Sequence, residues 1–121
     1  MERAHKKLRV WQESMQLVKM IYDLTRSLPD EEKFGLISQM RRAAVSVPSN
    51  IAEGSARQTK KESIQFYSIS RGSLSELDTQ IQLCQDLGLV TPDQTTSVLT
   101  QLETVGALLN GLIRFKRGRT E

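Results

Sequence analysis

The stretch SQMRRAAVSVPSNIAEG, Ser38 to Gly54, decides the fold class. Leu36, Met40, Ala43, Val47, Ile51 and Gly54 recur at steps of three and four, the spacing that lines up one face of an α-helix. The period runs straight through Pro48, which predicts one kinked helix instead of two. Proline has no N–H, and its ring crowds the carbonyl four residues back, here Ala44. The small Ala43, Ala44 and Ser46 leave room for a bend and permit close approach of another helix. This helix is expected to end near Gly54-Ser55, with the glycine in the left-handed conformation that closes a helix.

Working outward, three more segments carry a helical period. The first runs from about Lys7 to Ser27, with Trp11, Met15, Val18 and Tyr22 on one line and Val10, Leu17, Ile21 and Leu24 widening it. Leu28-Pro29 ends it, because the residue before a proline is pushed out of helical geometry. Pro29-Asp30-Glu31-Glu32 suits a turn or the opening of the next helix. Thr59 and Glu62 read as a capping box opening a third helix that carries Ile64, Tyr67, Leu74, Leu77, Ile81 and Cys84 on one face. That helix stops at Gly88, with Leu89 placed for the usual apolar contact of a helix end. Thr91-Pro92-Asp93-Gln94 repeats the start signal, with Thr as cap, Pro at the first helical position and Gln at the third. Val98, Leu102, Val105, Leu109 and Leu112 follow, broadened by Leu99, Leu108 and Ile113. No segment reads as a strand.

The expected fold is therefore all-α, a single domain over residues 1–121. Short connections make sequential helices antiparallel, so the economical topology is an up-down-up-down four-helix bundle with its second helix kinked at Pro48. That topology predicts a charge pattern. The start of the first helix (Arg3, Lys6, Lys7, Arg9), the junction of the second and third (Arg57, Lys60, Lys61) and the end of the fourth (Arg114, Lys116, Arg117, Arg119) fall at one end. Eleven of the seventeen basic residues converge there. Between Gly72 and Ile113 there is no Lys or Arg, and Asp23, Asp30, Glu31, Glu32, Asp86 and Asp93 gather at the opposite end. The formal net charge of +3 hides this separation.

Val10-Trp11-Gln12, Glu32-Lys33-Phe34-Gly35-Leu36, Lys61-Glu62 and above all RRAAVSVPSNIAEG carry a resemblance. The chain, from about Leu8 to Phe115, resembles the small "four helix bundle protein" family, whose genes often sit in intervening sequences of bacterial 23S rRNA. That family in turn resembles the accessory variability protein of diversity-generating retroelements, a homopentameric bundle that binds nucleic acid and a reverse transcriptase. The resemblance implies a four-helix fold and a ring, a pentamer first. It also implies nucleic acid, and a reverse transcriptase or another protein, as partner classes.

Clustered Lys and Arg are what non-specific nucleic-acid affinity requires, since phosphate contacts act by releasing counterions and need no particular sequence. Lys6, Lys7, Arg9, Arg57, Lys60, Lys61, Arg114, Lys116, Arg117 and Arg119 are the candidate contacts. The competing reading is that these charges solubilise the chain and complement a helix C-terminus, leaving an oligomeric protein-interaction adaptor. Arg41, Arg42, Ser46, Asn50 and Glu53 form a polar group beside the apolar face of the second helix, read as a subunit interface or structural hydrogen bonding in preference to a ligand site. Phe66, Ile69 and Leu83 lie off the main apolar line of the third helix, and extra apolar surface points to self-association. Aromatic residues make up 5% of the chain, so base-stacking readout is not expected.

Catalysis finds no support in the residues. There is no Gly-rich phosphate loop, no HExxH and no zinc-type spacing of Cys and His. His5, the single histidine, lies in a charged tail, and Cys84, the single cysteine, reads as a small buried apolar residue. No cofactor or metal is expected. No apolar run approaches the ~20 residues of a membrane span, and the N-terminus lacks a secretory pattern, which predicts a cytoplasmic protein.

Overall fold

The computed structural model describes residues 3–118. Four α-helices account for most of them, α1 (Arg9–Arg26), α2 (Leu36–Ser55), α3 (Lys60–Asp86) and α4 (Pro92–Arg117), with 3₁₀ turns at Ala4–Lys7 and Asp30–Glu32. Among the described residues there is no strand. α2 packs on α1 and α3, and α4 packs on α3 and α1. The core thus lies on the axis shared by all four helices.

Helix ends follow local chemistry. At α4 the capping box is complete: the Gln94 N–H donates to Thr91 Oγ1 and the Thr91 N–H donates to Gln94 Oε1, with Pro92 at the first helical position. At α3 only half of the expected box forms. The Glu62 N–H donates to Thr59 Oγ1 at 3.2 Å, with no return bond from the Glu62 carboxylate. α3 closes with a left-handed Gly88 at φ 71°. The Gly88 N–H then donates to Gln85 O, and the Leu89 N–H to Cys84 O, at 3.0 and 2.9 Å. This is the 6→1 and 5→2 pairing of a Schellman end.

α2 is one helix through Pro48, and Met40, Ala43, Ala44, Val47, Pro48, Ile51 and Gly54 are all buried. Gly54 does not close it. The helix runs on to Ser55, and positive φ occurs among the described residues only at Gly88 and Gly118. Gly54 instead lets α3 approach, because a Cβ there would stand 2.6 Å from Tyr67 Cε1 and 3.0 Å from the Ser63 carbonyl. The hydroxyl of buried Ser70 donates to Val47 O at 2.8 Å in the same contact.

α1 presents the opposite line to the one drawn first from its sequence. Val10, Leu17, Ile21 and Leu24 are buried, whereas Trp11, Val18 and Tyr22 are half-buried and Met15 is exposed. The second line faces the axis, and the first borders a groove of about 380 Å³ between α1 and α2, lined by Trp11, Met15, Val18, Val45 and Pro48. In α4, Ile113 joins Val98, Val105 and Leu109 in the core, while Leu102 and Leu112 are only half-buried.

Candidate nucleic-acid interface

The candidate basic residues sit where helices begin and end. Lys6 and Lys7 belong to the first 3₁₀ turn, Arg9 opens α1, and Lys60 and Lys61 are the first two residues of α3. Arg57 lies in the turn between α2 and α3, and Arg114, Lys116 and Arg117 form the last turn of α4. All are exposed except Lys116, which is half-buried. Arg119 lies outside the described residues.

Lys60 and the end of α4 are brought together. A Cβ on Gly118 would lie 3.2 Å from Lys60 Nζ. Lys60, Lys61, Arg114 and Arg117 have no ion-pair partner among the described residues. Arg57 is differently placed: its guanidinium pairs with Glu53 at 3.6 Å and stacks over Phe66, 5.4 Å from the ring centroid. Arg9 pairs with Glu13 at 4.0 Å.

The N-terminal group has contacts of its own. Gln101 Nε2 donates to the backbone carbonyl and carboxylate of Glu13, both at 2.8 Å, which ties α4 to α1. From that tie α4 continues for sixteen residues to Arg117, about 24 Å, while only four residues, about 6 Å, separate Glu13 from Arg9. The 3₁₀ turn before α1 contacts both α1 and α2. His5 there meets Trp11 edge-on at 5.2 Å, and the Gln12 side chain donates to Lys6 O.

Electrostatics distinguish the two helix ends. Arg114, Lys116 and Arg117 complement the partial negative charge at the C-terminus of α4. Lys60 and Lys61 do the reverse, standing at the partially positive N-terminus of α3 with Glu62 as the lone acid of that turn. Helix stability does not account for two lysines in that position. Phe115 was missed in the sequence: it is 73% exposed, between Arg114 and Lys116. Its place off the spacing Val98, Leu102, Val105, Leu109 and Leu112 was the available signal.

The polar group on α2 serves internal contacts in part. Arg41 Nε donates to Thr25 Oγ1 at 2.8 Å, and its guanidinium lies over the Tyr22 ring at 4.4 Å, so it bridges to α1. Ser46 Oγ meets Ser73 Oγ of α3 at 2.8 Å, and Asn50 Nδ2 donates to Ser46 O and Oγ. Arg42 is exposed.

Among the described residues no group of His, Cys, Asp and Glu could hold a metal ion, and no helix is long and apolar enough to cross a membrane. Cys84 is fully buried against Met40, Sγ to Sδ 3.6 Å. Burial pushes its thiol pKa up, and the nearby Glu32 carboxylate adds to that.

Comparison with curated proteins returned no match. Among solved structures, the chain is similar to a crystal structure of a protein with unknown function from the S23 ribosomal protein family of Bacteroides thetaiotaomicron. The TM-score is 0.79 at 24% identity, over 86% of this chain and 97% of that one, a likeness of fold. A family model described as 23S rRNA-intervening sequence protein matches residues 6–111, from the turn before α1 into α4 and across the α2 stretch from which the reading began, and the chain therefore belongs to the 23S rRNA-intervening sequence protein family.

Proposed function

We propose that this chain is a non-enzymatic, cytoplasmic homo-oligomeric scaffold that binds nucleic acid, with little sequence selectivity, through the basic end of its bundle. A pentameric ring is the assembly implied by the family resemblance, with a reverse transcriptase or another protein as a further partner. The helices alternate up and down, with α2 bent at Pro48. Supporting the alternation are the contacts Met40–Cys84 and Ser46–Ser73 between α2 and α3, and Gln85–Thr95 and Arg71–Asn110 between α3 and α4, whose numbers fall on one helix as they rise on its neighbour.

In that arrangement the basic end has two tiers. The ends of α3 and α4 project as a tip carrying Lys60, Lys61, Arg114, Lys116 and Arg117. Lys6, Lys7 and Arg9 form a second tier about 18 Å back along the axis, the rise of the twelve residues by which α4 outruns α1. About five base-pair steps of a duplex cover that distance at about 3.4 Å each. A ring would present the tip several times and add weak contacts together.

The observation that carries this reading is the exposed pair Lys60 and Lys61 at the N-terminus of α3, beside the basic end of α4. Cations disfavoured by the helix become favourable once a phosphate sits between them and the free N–H groups of that terminus.

Filter binding of the full chain to structured RNA and to duplex DNA across a salt series tests it. About five phosphate contacts predict a loss of affinity of about 10²–10³-fold between about 50 and 200 mM salt. The triple substitution Lys60→Glu, Lys61→Glu, Arg117→Glu should abolish binding. Absence of binding at low salt, or binding indifferent to salt and to the substitutions, rejects the reading and leaves the adaptor.

A further inference from the structure

The opposite end of the molecule carries a charged surface with unpartnered apolar side chains in it. Asp30, Glu31 and Glu32 form the second 3₁₀ turn, Asp86 ends α3 and Asp93 lies in the first turn of α4. Phe34, in the short connection before α2, is 90% exposed, and Leu87, the residue after α3, is 62% exposed. The contact between Met40 of α2 and Cys84 of α3 ties these two elements together just inside that surface. Phe34 is approached by the Lys33 ammonium, 5.7 Å from its ring centroid. A phenylalanine so placed adds nothing to the core.

The basic tip is the chemical complement of this surface. It too has an exposed aromatic ring, Phe115, set among arginines and lysines. The two ends act independently as electrostatic surfaces. α3 alone has 27 residues and spans about 40 Å, several times the Debye length of about 8 Å at physiological ionic strength. An approaching body therefore meets the sign of one pole and not the small net charge of the chain.

We propose that the acidic pole is a docking site for the basic tip of a second copy of this chain, so that copies associate head to tail. Phe34 and Leu87 of one copy meet Phe115 of the next, and Arg114 and Arg117 face Asp30, Glu31 and the Phe34 ring. Guanidinium groups suit both partners, pairing with carboxylates and stacking on aromatic faces. The contact joins different surfaces on the two copies, so it is heterologous and continues from copy to copy. Two helix ends, each about 10–12 Å across, offer far less than the roughly 800 Å² per partner of a stable interface. The association is therefore weak, reversible and dependent on low salt. It occupies the same tip as nucleic acid, with the carboxylates standing in for phosphates, so the two exclude each other.

Sedimentation velocity of the full chain at about 30 and about 500 mM salt reads this directly, since the first condition leaves the poles unscreened and the second shortens the Debye length to a few ångströms. The high-salt mass records any assembly held by apolar faces, and at low salt the weight-average mass should roughly double or more. Phe34→Ser, and separately Asp30→Lys with Glu31→Lys, should return the low-salt mass to the high-salt value. Arg114→Glu with Arg117→Glu should do the same from the other side. Mixing the two charge-reversed proteins should restore growth that neither shows alone. Glu32 is left intact because its carboxylate accepts the Leu36 N–H at the start of α2. Circular dichroism checks that each variant keeps its helices. A mass indifferent to salt, or low-salt growth that survives both Phe34→Ser and charge reversal, overturns the proposal; the former leaves the acidic pole to some other basic partner. None of these measurements contains nucleic acid, so they succeed or fail separately from the binding test above.

Discussion

Gly54 shows how one residue can be placed by its sequence and given its role only by its neighbours. Its position on the apolar line of α2 was legible, but its purpose as a gap for Tyr67 was not, because the ring arrives from α3. Gly54→Ala is expected to lower stability by about 1–3 kcal/mol, the usual cost of overpacking. Gly72 in α3 has open space where its Cβ would be, so Gly72→Ala should raise stability by about 0.5–1 kcal/mol. Urea denaturation of the two variants checks both signs. Cys84 makes a second residue-scale prediction. Its raised thiol pKa means that the folded protein prefers the neutral thiol. The stability linked to it is fully present below the ordinary thiol range and is lost as pH climbs through the raised value. Urea melts from neutral to alkaline pH should therefore show wild type losing stability relative to Cys84→Ala.

Helices were the most legible level, because their limits are set by residues within one turn of each other. Thr91, Pro92 and Gln94 act as their spacing implies, and Gly88 ends α3 in the expected way. Thr59 does less than its spacing implies, holding one bond instead of two. Thr91→Ala should accordingly cost about 1–2 kcal/mol, and Thr59→Ala about 0.5–1 kcal/mol. Thermal denaturation of the pair tests the order, and a larger loss at Thr59 would contradict the single-bond cap. Which stripe of α1 turns inward was not legible. Trp11, Met15, Val18 and Tyr22 are as apolar and as well spaced as Val10, Leu17, Ile21 and Leu24. The choice rests on where α2 and α4 lie, and the losing line borders the groove under Val45 and Pro48.

Across the whole molecule, the relative lengths of the helices govern what the charges can do. α1 and α2 have 18 and 20 residues, α3 and α4 have 27 and 26. The longer pair carries Lys60, Lys61 and the last turn of α4 beyond the shorter one in the arrangement proposed here, which divides a basic end that the sequence suggested was single. If Lys60 and Lys61 serve a polyanion at the expense of their helix, affinity and stability should move in opposite directions. Lys60→Glu with Lys61→Glu is expected to reduce nucleic-acid affinity by about tenfold or more while leaving Tm unchanged or raised by a few degrees. Reversal of Lys6→Glu with Arg9→Glu, in the second tier, should weaken binding less. Filter binding and thermal melts on the same preparations give both readouts, and equal losses from the two pairs would argue against two tiers.

By itself the amino-acid order determined the number of helices, most of their boundaries, the continuity of α2 through Pro48 and the sign of the charge near each chain reversal. These follow from caps, steric limits at proline and glycine, and apolar periods, all of them interactions between residues a few positions apart. Tertiary structure alone decided which line of α1 is buried, why Gly54 has no side chain, and that Arg41 is spent on Thr25 and Tyr22. Each of those outcomes depends on atoms contributed by another helix, and no local spacing encodes where that helix will stand.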